Sequence, residues 1–95
     1  MENYLAEELE RQIKHELIDG YIYAMADVSA NHVRIAVNVL QKFGNHLENA
    51  PCEPFGSKMK LRVKDNFFYP DVMVDCQFDE SEPHYTETPV LIVEV

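Results

Sequence analysis

The 95-residue sequence predicts a small domain of mixed class, α+β / α/β, with elements in the order (α)ββαβββ. Three observations predict it. The pair Asp19-Gly20 separates two short runs of β-branched and aromatic character, the strongest short-range hairpin signal. From Val33 to Leu47 apolar side chains recur at three- and four-residue steps, which is the stripe of an amphipathic helix. Past residue 58 the period shortens to two in the stretch MKLRV, and apolar strand-like runs follow at 67–76 and 90–95.

Each element has a local reason. Residues 1–14, MENYLAEELERQIK, are rich in Glu, Leu and Ala and suit a short helix or a polar lead-in. Strands at about 15–18 and 21–25 turn on Asp19 and Gly20. The helix starts after Ser29, whose hydroxyl can accept from an orphan amide of the first turn. Its stripe holds Val33, Ala36, Val37, Leu40, Phe43, Gly44 and Leu47, while Ile35 and Val39 lie off it. That distribution predicts a core helix covered on two sides. The two prolines of NAPCEP, residues 49–54, cannot extend it. In the strand 59–63, Met59, Leu61 and Val63 share one face and Lys60 and Arg62 the other. Lys64-Asp65-Asn66 is a turn, Pro70 interrupts the strand 67–76, DESEPHYTET at 79–88 is a polar loop, and 90–95 is a short strand.

Composition narrows the functions. The net charge of −9, from 17 acidic and 8 basic side chains, argues against a broad basic surface for nucleic acid. It leaves room for a nuclease, because a bound divalent cation offsets charge within one cleft. Two cysteines, Cys52 and Cys76, lack the paired spacing of a zinc site or a disulfide framework, and both read as buried small hydrophobes. No apolar run approaches a membrane span and the acidic amino terminus is unlike a signal peptide, so the expected location is cytoplasmic, with no membrane partner.

The chemistry-bearing feature is a pair of carboxylates in apolar strands: Asp71 in FFYPDVMVD and Glu94 in PVLIVEV. Alternation puts Asp71, Met73 and Asp75 on one face of their strand, and Val90, Ile92 and Glu94 on one face of theirs. If the strands pair, Asp71 and Glu94 meet. Two poorly solvated carboxylates repel, so one takes a proton or both share a cation, and oxygen donors of this kind suit Mg²⁺ or Mn²⁺. Alternatively each acid sits at a strand end, solvated or paired with Lys60 or Arg62.

The blocks HELIDGYIYAM, SANHVRIAVNVL, YPDVMVDC and TPVLIVEV, in that order, resemble one large bacterial family, the "putative restriction endonuclease" domain family of the PD-(D/E)xK superfamily. The resemblance runs from about Tyr4 to Val95. It implies a restriction-endonuclease-like fold, a mixed β-sheet of four central strands flanked by helices. It also implies a Mg²⁺ site held by Asp71 and Glu94, with Glu16 as a further acid near the same cleft and His32 as a family position on the core helix. His32 reads either as a polar group facing that cleft or as a capping or packing residue.

The sequence departs from the superfamily pattern where a Lys is wanted two residues after the acid, at position 96. Lys58, Lys60 or Arg62 could supply the positive charge instead. The family domain is also longer, so residues 1–95 are expected to be one amino-terminal, incomplete domain, truncated after the acidic strand. An apolar edge strand at 89–95 is a template for pairing, which predicts a homodimer or higher homo-oligomer. The implied activity is metal-dependent hydrolysis of DNA phosphodiesters. The alternatives are a non-catalytic, oligomerising remnant of that fold, and an acidic DNA mimic or regulatory partner.

Overall fold

The computed structural model describes residues 2–95, and the side chains from residue 3 onward. Helix α1 (Glu2–Glu10) leads into the hairpin β1 (His15–Ile18) and β2 (Tyr21–Ala24), followed by α2 (Ala30–His46). Six short strands complete the chain: β3 (Glu53–Phe55), β4 (Lys60–Val63), β5 (Asn66–Phe68), β6 (Val72–Asp75), β7 (Tyr85–Thr86) and β8 (Pro89–Val93). The α+β class and the order of the main elements are as expected. The strands, however, form two sheets, one of five strands in the order β2-β1-β5-β4-β7 and one of three in the order β3-β6-β8.

Pro70 is the reason for the division. Proline has no N–H to give a ladder, and it forces the residue before it away from helical geometry. The stretch expected as one interrupted strand therefore becomes β5, paired with β1 and β4 in the first sheet, and β6, paired with β3 and β8 in the second. Two further strands were not anticipated. β3 carries Pro54 and lies at a sheet edge, where a missing donor is tolerated. β7 arises inside the expected polar loop and runs parallel to β4, which makes the larger sheet mixed.

The hairpin follows its sequence signal. His15 faces Ala24 and Ile18 faces Tyr21, and both turn residues are left-handed, Asp19 at φ 51° and Gly20 at φ 84°. Two consecutive positive φ values are those of a type I′ turn, which matches the twist of the strands it joins.

Helix α1 closes one side of the five-stranded sheet. Tyr4 packs on Phe67 with ring centroids 5.1 Å apart, Phe67 meets Tyr85 edge-on at 5.4 Å, and Leu17 joins them in the core. The Tyr4 hydroxyl donates to the His15 carbonyl, tying helix to strand. Glu8 is buried on the same side, and its carboxylate accepts from the Tyr69 hydroxyl at 2.6 Å and from the His15 amide at 2.8 Å. The Arg11 guanidinium lies 3.5 Å away. A buried carboxylate supplied with these partners is a tie between elements rather than an uncompensated charge.

Helix α2 forms where the periodicity places it, with Ser29 as N-cap: the His32 amide donates to Ser29 Oγ at 3.1 Å. The expectation that it is a core helix covered on two sides is corrected. It lies against β3 and β6, but none of its residues is buried, and Val33, Ile35 and Val37 are about half exposed. The loop after β3 comes close at Gly56, where a β-carbon would stand 3.3 Å from Leu40 Cδ2, tighter than ordinary packing. A residue without a side chain lets this loop sit against the helix.

The cysteine expectation is also corrected. Glu53 and Asp75 face each other in the β3–β6 ladder, so Cys52 and Cys76 meet one step beyond it and form a disulfide; both are partly exposed. Sequence spacing alone does not reveal antiparallel register, which is what brings them together.

Candidate metal and phosphate site

β6 is wholly buried, and Val72 and Met73 are inaccessible to solvent. Its partner β8 runs antiparallel, with Val72 facing Val93 and Met73 facing Ile92. Continuing that register by one residue sets Asp71 opposite Glu94, as the alternation argument requires. The two acids stand at the end of a ladder whose interior is apolar.

Asp71 is held from two directions. His32 Nε2 lies 2.9 Å from Oδ1, and the Val95 amide donates to Oδ2 at 2.8 Å. An ionised carboxylate only accepts, so Nε2 carries the proton in this contact. The Ser29 cap fixes the first turn of α2, and that turn delivers the imidazole to the strand end. His32 lines the same cavity as the carboxylate it contacts.

Electrostatics separates the two acids. Desolvation pushes the Asp71 carboxyl up, but the Val95 amide, the His32 imidazole and the Lys14 charge outweigh it and hold the group below the usual carboxylate range. The Glu94 carboxyl is pushed up, first by desolvation and then by the negative charge of Asp71, with Glu16 adding to the effect. The Asp71 backbone amide and His32 pull it back in part. The charge of Asp71 acts on Glu94, while Asp71 itself answers to the Val95 amide, His32 and Lys14.

Glu16 reaches the same region from β1 and is already engaged: its Oε2 accepts from the Tyr69 amide at 3.0 Å. Tyr69 is therefore fixed at both ends, its amide by Glu16 and its hydroxyl by Glu8, immediately before Pro70-Asp71. A cavity of about 350 Å³ opens beside Asp71, between α2 and the segments on either side of the hairpin. Its polar wall includes Lys14, Asp27, Ser57, Tyr69, His32 and Asp71, and its apolar wall includes Val33, Ala36, Val37 and Leu40 from α2.

The cations expected to serve the site are elsewhere. The Arg62 guanidinium donates to the Tyr85 hydroxyl and the Lys64 carbonyl and lies 3.4 Å from Glu87. Lys60 is buried with its ammonium 5.6 Å from the Tyr69 ring; burial pulls its pKa down and the charge of Glu8 partly restores it. Lys58 lines a separate cavity with Lys60 and His84. Alternation correctly put Lys60 and Arg62 in one strand, but that strand lies in the other sheet from Asp71. Sequence reasoning missed Lys14 and Tyr69, which no local pattern marks.

Among the described residues no three His, Cys, Asp or Glu side chains converge into a metal cage. The donors at the strand end nonetheless fit a hard cation. Mg²⁺ characteristically takes one or two carboxylates and completes its shell with water and substrate phosphate. Asp71 and Glu94 are two carboxylates at one strand end, and Glu94 is raised first by desolvation and then by the charge of Asp71.

The two helices and mixed sheets make this an α+β domain with a nuclease-like fold. The family model described as "Putative restriction endonuclease", Uma2, matches residues 1–95, and the chain belongs to that family. Two curated Synechocystis proteins are similar to it. Uncharacterized protein slr1290 is 39% identical over 97 residues, covering 99% of this chain and 51% of the relative. Uncharacterized protein sll1609 is 34% identical over 97 residues, covering 97% and 55%. The chain thus spans about half the length of the curated relatives it matches. The crystal structure of a "putative nuclease belonging to DUF820" from Anabaena variabilis shares the fold, with a TM-score of 0.63 and 19% identity over 75% of this chain and 41% of that one.

Proposed function

We propose that this domain carries the acidic half of a metal-dependent nuclease site that hydrolyses DNA phosphodiesters with Mg²⁺ or Mn²⁺. The observation that carries the reading is the β6–β8 register, which brings Asp71 to Glu94 at the end of an apolar ladder with His32 on Asp71. Asp71 and Glu94 would hold the ion, which when bound supplies a Lewis acid for phosphoryl oxygens and a water of lowered pKa. His32 keeps Asp71 ionised and fixes its orientation. Glu16 acts one step back, as a positioning residue, by anchoring the Tyr69 amide ahead of Asp71. In the reaction a water oxygen bonds to phosphorus and the bond from phosphorus to one sugar oxygen breaks. The proton that the water gives up is balanced by the one the leaving alkoxide takes.

Plasmid cleavage with Mg²⁺ or Mn²⁺ tests the reading, with Asp71→Ala and Glu94→Ala alongside. Cleavage lost in both variants supports it, and cleavage that survives both removes Asp71 and Glu94 from the site. A wild-type chain that folds but never cleaves favours a second reading, a non-catalytic assembling module. That reading rests on β8, an edge strand that exposes Val90, Leu91 and Ile92 and can pair with a second copy. Sedimentation that shows a strict monomer at high concentration removes the assembly.

No described helix is long and apolar enough to cross a membrane. A cytoplasmic location remains our proposal, and the disulfide does not favour it, since such bonds persist mainly in oxidising compartments.

A further inference from the structure

We infer that Lys14 is the phosphate-contacting cation of this site: it stands in the wall of the Asp71 cavity and meets the backbone of a bound nucleic-acid strand there. The inference rests on the nuclease reading for its substrate class and on geometry for its residue. Of the eight Lys and Arg side chains, Lys14 alone lines the cavity that Asp71 and His32 share. The others are committed or remote. Arg11 pairs with Glu7 and Glu8, Arg34 bonds Asn31, and Arg62 is held by Tyr85 and Glu87. Lys58 and Lys60 line a different cavity, and Lys42 and Lys64 line two more.

Lys14 is also anchored in place. Its Nζ donates to the Ser57 carbonyl at 3.2 Å and stands 5.3 Å from the centre of the Tyr69 ring. An ammonium has three N–H donors, so one bond to Ser57 leaves two for a ligand. Tyr69 is itself fixed by Glu8 and Glu16, which gives the cation a rigid support. The Lys14 charge already acts on the Asp71 carboxyl. A chain of net charge −9 repels a polyanion over most of its surface. One cation set beside the acidic strand end is where a phosphate can be received.

The test measures binding apart from cleavage. A fluorescein-labelled duplex oligonucleotide is titrated into the 95-residue chain with Ca²⁺ in place of Mg²⁺ or Mn²⁺, and checked to be uncut, across a range of salt concentrations, for wild type, Lys14→Gln, Lys14→Arg and Asp71→Asn. Loss of one phosphate contact by Lys14→Gln should weaken binding about tenfold and flatten the log K against log salt slope by about one. Lys14→Arg should keep both. Circular dichroism melts confirm that each variant is folded. Unchanged affinity and slope in Lys14→Gln overturn the assignment, as does a Lys14→Arg variant that falls as far, which would mark a packing role. Absent binding by the wild type at low salt also overturns it. The nuclease reading fails separately, when plasmid cleavage is absent or survives Asp71→Asn while the Lys14 binding effect stands.

Discussion

Breaking the Cys52–Cys76 bond should cost this domain a large part of its stability. The bond closes a sequence separation of 24 residues. In the chain-entropy account, a loop of that length removes about 3.5 kcal/mol of freedom from the unfolded chain. Small domains hold only about 5–15 kcal/mol in total, and one of this size sits toward the lower end. The loss is therefore between about a quarter and two thirds of the margin. With a urea slope near the small-protein limit, about 1–1.5 kcal/mol/M, the midpoint should fall by roughly 2.3–3.5 M. The assay is urea unfolding followed by circular dichroism, for the oxidised chain, the reduced chain and Cys52→Ser/Cys76→Ser. The reduced and double-serine forms should agree. A midpoint that moves by less than about 0.5 M, well below the loop-entropy shift, would refute the reasoning. The effect should reach the site as well, since β6, which the bond staples to β3, leads directly from Asp71.

Three further outcomes follow from the site. The Glu94 carboxyl is raised, so the folded state binds its proton more tightly than the unfolded chain does. Wild-type stability should accordingly fall as pH climbs from the ordinary carboxylate range through the raised value, and Glu94→Gln should lack that fall; thermal melts across the acid-to-neutral range would show the two curves diverging upward in pH, and parallel curves would contradict it. Asp71 acts in the opposite sense: its lowered carboxyl lends stability that is lost only as pH drops through that lowered value. Tyr69→Phe removes a 2.6 Å bond to the buried Glu8 carboxylate and should cost about 2 kcal/mol in chemical denaturation, without altering the Glu16 contact to the residue 69 amide.

What could be read in advance was local. Asp19-Gly20 specifies its own turn, and Ser29 with the stripe behind it specifies the start of α2. The pairing of Asp71 with Glu94 followed from period-two alternation once the two strands were placed side by side. What could not be read depends on partners distant in the chain. Pro70 announces a break but not that the halves join different sheets. The apolar side chains of α2 announce a covered helix, yet Ile35 is half exposed and the half-exposed Val33 and Val37 line an open cavity. Cys52 meets Cys76 only through the β3–β6 register, and Lys14 enters the site only because the β3–β4 loop offers it the Ser57 carbonyl. Lys60 and Arg62 were the natural choices for a site cation because their strand precedes Asp71 in sequence, but it runs in the other sheet from β6, and Lys60, though 5.6 Å from the Tyr69 ring, lines a different cavity.

The strand β6 has an acid at each end, and the two have opposite fates. Asp75 is wholly buried and takes bonds from the Gln77 amide, the Thr86 hydroxyl and, at both oxygens, the Thr88 hydroxyl. A carboxylate offers about four acceptor positions, and three donors of its own chain occupy most of those on Asp75. Asp71 accepts one bond at each oxygen, from His32 and Val95, and keeps vacant lone pairs toward a cavity. Anything electron-poor that approaches this strand from solvent can reach Asp71, which lines a cavity, and not the fully buried Asp75. The fold has made one aspartate into masonry and left the other with free valence.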